Sequence, residues 1–228
     1  MMNIIPIVMI KNEEIWIGRI LRPLTNVFSY VVVADTGSTD RTIEEIRKVG
    51  DRIKLIQYEN ASPEQVGKIR QLMQEYAASF GATHIMLVDG DELYPTSYLK
   101  YIYDNPMPET SPCGFTYGVE CGELDNGELI QYGAHKSRDA VFSVNSVWHG
   151  IYPFEGHSCY NENPPLNYYW PCNEPVYRFF HLHACRRSSK DSDVHMRLRK
   201  QHQFCMREDA NSFPKTPWLK SEGDYEDE

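Results

Sequence analysis

Residues 85–94 read IMLVDGDELY. An apolar run of strand length ends in Asp89 and Asp91, with Gly90 between them. Side chains at i and i+2 of a strand share a face, so this spacing puts both carboxylates together where the strand ends. Paired carboxylates suit a hard divalent cation such as Mg2+ or Mn2+, and Mg2+ is often shared with substrate phosphates. The run therefore points to metal-held phosphate chemistry at the carboxyl end of a buried strand.

Three more apolar runs precede it: Ile4–Ile10, Tyr30–Ala34 and Ile53–Tyr58. Helical patterns lie between them. Glu13–Leu24 spaces Ile17, Ile20, Leu21 and Leu24 at helical intervals, with Asn12 as the expected cap. After the turn DTGSTD, Thr39 or Asp40 can cap RTIEEIRKV, which Gly50 closes. Pro63–Phe80 reads as a third helix, with Pro63 in its first turn and Gly81 past its end. This alternation predicts an α/β fold: a Rossmann-like, mostly parallel sheet flanked by helices. Ligands of such sheets bind outside the carboxyl ends of the strands. Three polar clusters fall there: Lys11-Asn12-Glu13, Asp35–Asp40 and Asp89–Glu92.

Beyond residue 95 the pattern changes. CGFTYGVE, ELIQYG and AVFSV are short strand-like runs that suggest hairpins, a smaller antiparallel region. Residues 159–175 are rich in proline and asparagine and read as a long ordered loop or lid. VYRFFHLH is another strand, and residues 191–208 a helix. The expected organisation is one domain over residues 1–212, split into halves at 1–95 and 96–212, with an acidic mobile tail at 213–228.

Composition narrows the partners. The chain has 228 residues and a net charge of −9, which disfavours purely electrostatic binding to nucleic acid or an anionic membrane. The apolar runs are too short to span a bilayer, and the first residues lack a basic n-region and a small-residue cleavage site. The six cysteines show no C-x-x-C pairing, which fits reduced thiols in a cytoplasmic protein, with a zinc site as the weaker alternative.

IVMIKNEEIWIGRIL, VVVADTGSTDRT and MLVDGDE, in that order, resemble a family 2-type glycosyltransferase of the GT-A fold. The resemblance is close over about residues 4–95 and looser beyond. It implies a nucleotide-sugar donor, a UDP-sugar, held by Mn2+ or Mg2+. Asp35 matches the family aspartate that accepts a hydrogen bond from uracil, a role suited to an acceptor-only group; its other reading is a turn aspartate. Asn12 and Glu13 match the N-E after the first strand. Glu13 would lie near base or ribose, or compensate the dipole of the next helix. Asp89 and Asp91 match the D-x-D: Asp91 for direct metal coordination, Asp89 facing ribose or metal. Lys68 and Arg70 stand where the family often carries a basic residue; the alternative for each is a solvated helix face. A late histidine often adds a metal ligand in this fold, and His181 and His183, two apart on one strand, are the candidates, with core or surface histidines as the other reading. Arg186, Arg187 and Lys190 could close over the diphosphate, Arg186 being the donor-binding candidate. Glu155 is the candidate general base, although Phe154-Glu155 stands where the family usually has H-E.

The function implied is metal-dependent transfer of a sugar from a UDP-sugar to an acceptor nucleophile, with inversion and a single carboxylate base, here Glu155 with the metal held at Asp91. Saccharide, peptide and modified nucleobase remain open as acceptors, and lack of a membrane anchor weighs against a polyprenyl lipid. One alternative is a non-catalytic nucleotide- or sugar-binding module. Another is a D-x-D phosphohydrolase, which would carry its aspartates on the first strand rather than the fourth.

Overall fold

The computed structural model describes residues 2–109, 111, 113–124, 127–145, 168–170, 178–189 and 191, with the side chains of 132–139 left aside. Four parallel strands form its first half: β1 (Ile4–Ile10), β2 (Val31–Asp35), β3 (Ile53–Gln57) and β4 (His84–Asp89). They alternate with helices α1 (Ile17–Val27), α2 (Thr42–Val49) and α3 (Val66–Ser79), and α4 (Thr96–Asp104) follows β4.

Strands β1, β2 and β4 are apolar runs because both their faces are covered. Val8 and Ile10 of β1, Val31 and Val33 of β2, and Met86 and Val88 of β4 pack with Ile20, Leu24 and Leu99 of α1 and α4. The alternate residues Ile5, Ile7, Val32, Ala34, Ile85 and Leu87 pack with Ile69, Met73 and Ala77 of α3. Each such buried aliphatic side chain contributes about 1.5–3 kcal/mol of transfer free energy. Sheet register therefore follows from the alternation, and with it the alignment of the strand ends.

Among the described residues the sheet runs β3-β2-β1-β4-β7-β6-β9-β5, with β8 beside β6. Here β5 is Glu92–Leu93, β6 is Cys113–Glu123, β7 is Leu129–Ser143, β8 is Tyr168–Tyr169 and β9 is Phe179–Ala184. β6 and β7 form a long antiparallel hairpin, where the sequence shows only short runs. The cause is three register shifts, between Gly114/Phe115, Thr116/Gly118 and Glu120/Cys121, which break the two-residue alternation.

Three further expectations change. The segment expected to begin the first helix at Glu13 is a turn, and α1 starts at Ile17. Asn12 adopts a left-handed φ of 56°, and its side-chain oxygen accepts from Thr39 N–H instead of capping α1. β4 stops at Asp89, so Asp91 lies in the turn beyond and the two aspartates do not share a strand face. Cys113, Cys121 and Cys185 are buried. No helix among the described residues is long and apolar enough to cross a membrane.

Candidate active site

The carboxyl ends of β1, β2 and β4 are laced into one surface. Asn12 N–H donates to Ser38 Oγ at 2.9 Å, and Glu13 N–H donates to Thr42 Oγ1 at 2.8 Å. Ser38 N–H in turn donates to both Asp35 carboxylate oxygens, at 3.1 and 3.2 Å. Asp40 accepts from Thr42 N–H at the start of α2. The cleft above these loops has a volume of about 620 Å³. Lys11, Asn12, Glu13, Thr36, Arg70, Asp89, Gly90 and Asp91 line it, together with Arg187, Ser188 and Asp191 from the far end of the described chain.

The turn after β4 divides its two aspartates. Asp89 accepts a charged hydrogen bond from Arg70 Nη2 of α3 at 2.9 Å, and its backbone N–H donates to the buried Glu92 carboxylate at 3.0 Å. Gly90 gives a close fit between them: a Cβ there would lie 3.0 Å from Ile10 Cγ2 and 3.1 Å from Glu13 Cγ, so those side chains would have to shift. Asp91 is drawn the other way by β5, which pairs antiparallel with β9 and sets Glu92 opposite His181. The Asp91 carbonyl accepts from Leu182 N–H at 2.7 Å.

That pairing seats the Asp91 carboxylate between two imidazoles. Its Oδ2 lies 3.8 Å from His181 Nε2 and 3.7 Å from His183 Nδ1. One ligand atom from each of Asp91, His181 and His183 falls within 4.8 Å of the others, a donor set able to hold a divalent cation. Burial would raise the Asp91 carboxyl, but the facing His183 and His181 rings and Arg187 hold it far below the usual carboxylate range. Surroundings that favour the charged carboxylate suit a metal ligand, which binds deprotonated.

Arg187 Nη1 bridges two acids, 2.9 Å from Glu13 Oε1 and 3.4 Å from Asp91 Oδ2. Burial pushes the Glu13 carboxyl up to about 9, against the pull of Arg187, with Asp91, Asp191 and Asp40 adding to the rise. Glu13 Oε2 is buried without a hydrogen-bond partner. The loop carrying Arg187 is tied to the loop after β1: Trp16 Nε1 donates to the Arg186 carbonyl at 2.7 Å, Ile15 N–H to the Arg187 carbonyl at 3.1 Å, and Ser189 N–H to Glu14 Oε1 at 2.7 Å.

Hydrogen bonds from Ser189, and then from Arg41, lower the Glu14 carboxyl to about 2 from its ordinary 4.5. A depressed carboxyl stabilises the fold above its unfolded pKa and loses that contribution as pH falls through its folded one. Denaturation midpoints should therefore drop as pH falls from 4.5 towards 2, and Glu14→Gln should flatten that part of the curve. An unchanged acid limb in the variant would remove Glu14 from the account.

The expected residues scatter more than their motifs suggest. Asn12, Glu13, Arg70, Asp89 and Asp91 all line the cleft. Asp35 is buried beneath it, with Thr36 at the lining. Lys68 is exposed on α3 and is not among the lining residues. Arg186 donates its N–H to Glu123 at 3.0 Å, while its neighbour Arg187 enters the cleft. Glu155 and the helix expected at 191–208 fall outside the described residues, save Asp191. Glu120, which meets His181, carries no sequence signal, and Asp191 stands out only as a helix start. Neither lies in a motif, and both reach the site through tertiary pairing.

An α/β chain with a mixed sheet, helices on both faces and an acidic cleft at the ends of its parallel strands has the architecture of a GT-A domain. The chain belongs to Glycosyl transferase family 2, whose signature matches residues 7–167. Comparison with curated proteins gives no match. Among solved structures, it is similar to S. aureus TarS 1-349 in complex with UDP-GlcNAc, at 25% identity over 52% of this chain and 35% of that one, with a TM-score of 0.42. It is also similar to glucosyl-3-phosphoglycerate synthase from Mycobacterium tuberculosis in complex with Mn2+, UDP and phosphoglyceric acid, at 19% identity over 50% of this chain and 43% of that one, with a TM-score of 0.40. The aligned region thus covers about a third to a half of those structures.

Proposed function

We propose that the chain transfers a sugar from a UDP-sugar to an acceptor nucleophile, the hydroxyl of a saccharide being the simplest acceptor. The observation that carries this reading is the Asp91, His181 and His183 trio, of which Asp91 lines the cleft of this family 2 chain. Two imidazoles and one carboxylate suit Mn2+ better than Mg2+, which prefers oxygen ligands. When bound there, the cation would act as a Lewis acid that neutralises charge on the departing diphosphate.

The chain's own residues supply the rest. Asp35 ends β2 under the cleft and keeps lone pairs beyond those taken by Ser38, so it can accept from a uracil N–H. The unpartnered Glu13 Oε2 suits a ribose hydroxyl. Arg187 and Arg70 supply positive charge near the diphosphate, held by the Asp91 and Asp89 carboxylates respectively. Asp89 would face the ribose or the metal. In the reaction, the bond from the anomeric carbon to the diphosphate breaks and a bond to the acceptor oxygen forms. The acceptor's proton passes to a carboxylate base, for which Glu155 is the candidate, and the anomeric centre inverts.

A screen of UDP-sugars with Mn2+ or Mg2+, read as UDP release, tests the reading. At least one donor should be consumed in a metal-dependent way. Asp35→Ala should weaken UDP binding about 10- to 100-fold, the value of a hydrogen bond to a charged group. Consumption of GDP- or ADP-sugars in preference to every UDP-sugar would overturn the uracil assignment, and no release from any nucleotide-sugar would overturn the whole reading.

A further inference from the structure

We infer that Glu120 of β6 is a positioning residue that sets the tautomer of His181 and so makes its Nε2 a metal ligand. The inference rests on the metal site proposed above. β6 and β9 pair in parallel with Glu120 opposite His181, and β5 places Glu92 opposite His181 from the other side. His181 Nδ1 lies 2.9 Å from Glu120 Oε2, while Nε2 points towards Asp91 Oδ2 at 3.8 Å. Each ring nitrogen therefore faces a different carboxylate.

A neutral imidazole carries one N–H, and the hydrogen bond at one nitrogen decides the role of the other. With the proton on Nε2, the Nδ1 lone pair would meet a carboxylate oxygen at hydrogen-bonding distance, which is repulsive. With the proton on Nδ1, the ring donates to Glu120 and leaves the Nε2 lone pair facing the site. The carboxylate also makes the ring a stronger donor to a metal and fixes its orientation. Both side chains are mostly buried, each about 19% exposed, so water competes little for the contact. Gly118, two residues before Glu120, keeps the approach close: it faces the Phe179 ring of β9, and a Cβ there would lie 2.6 Å from that ring.

Two measurements on the full chain test this. In metal-free protein, at a pH high enough for the ring to be neutral, imidazole 15N shifts should show His181 protonated at Nδ1, and Glu120→Ala should move the proton towards Nε2. Glu120→Gln retains a neutral acceptor and should fall between the two. In titrations with Mn2+ alone, Glu120→Ala should lose about 10- to 100-fold in affinity with its unfolding midpoint nearly unchanged. In a His181→Ala background the same change should cost nothing further, because Glu120 acts through that ring. A His181 protonated at Nε2 in the wild type, or an equal loss in both backgrounds, would overturn the inference. A wild type with the Nδ1 proton that binds no Mn2+ would instead overturn the metal site on which it rests, leaving the tautomer assignment supported.

Discussion

Asp91→Asn should abolish metal-dependent UDP release while leaving the fold intact. The substitution keeps the side chain's size and leaves the backbone bond from Leu182 N–H to the residue 91 carbonyl untouched, so β5 and β9 stay paired. What it removes is the negative charge between His181, His183 and Arg187. A neutral amide between two imidazoles is a poor centre for a cation, and preorganised charge stabilisation is lost with it. Loss of one such group typically costs on the order of 10²–10³-fold in rate. Calorimetric titration with Mn2+ and a UDP-release assay, run beside thermal unfolding, separate a lost ligand from a lost fold. Wild-type Mn2+ affinity in a folded Asp91→Asn protein would refute the trio as the metal site.

Gly118→Ala should be a strongly damaging single-methyl change in the sheet. The added Cβ would sit 2.6, 2.7 and 2.8 Å from three carbons of the Phe179 ring. That ring is fully buried and stacks on Tyr94 with centroids 4.8 Å apart, and Tyr94 OH in turn bonds Thr116 Oγ1 at 3.0 Å. The ring therefore has nowhere to retreat, and β9 must move off β6. Overpacking of this kind costs about 1–3 kcal/mol, which for a chain of this length lowers the unfolding midpoint by roughly 3–10 °C. Gly18 in α1 is the control, since a Cβ there meets nothing within 4 Å and alanine favours helix. Equal melting of wild type and Gly118→Ala would mean that β6 and β9 are not held by this contact.

The parallel half was legible because β1, β2 and β4 are buried on both faces and so appear as apolar runs, with the edge strand β3 following from the alternation of strands and helices. The carboxyl-end clusters followed from topology, and the two histidines from their spacing on β9. Other features lay beyond such signals. The separation of Asp89 from Asp91 depends on β5, a strand of two residues with no periodicity to read. The long β6–β7 hairpin was hidden by its bulges. The choice of Arg187 over its neighbour depends on how a loop leaves β9, and Glu120 depends on β6 lying beside β9. Each of these is a tertiary pairing between segments distant in sequence, which local pattern does not encode.

The ties between the loop after β1 and the loop after β9 join segments 170 and 175 residues apart in the chain. A chain emerging amino end first has all four parallel strands and both aspartates long before it has His181, His183 or Arg187. Its early half can bury its apolar faces without them. A partly made chain therefore carries carboxylates with no imidazole beside them, and the late strand both completes the sheet and completes the ligand set.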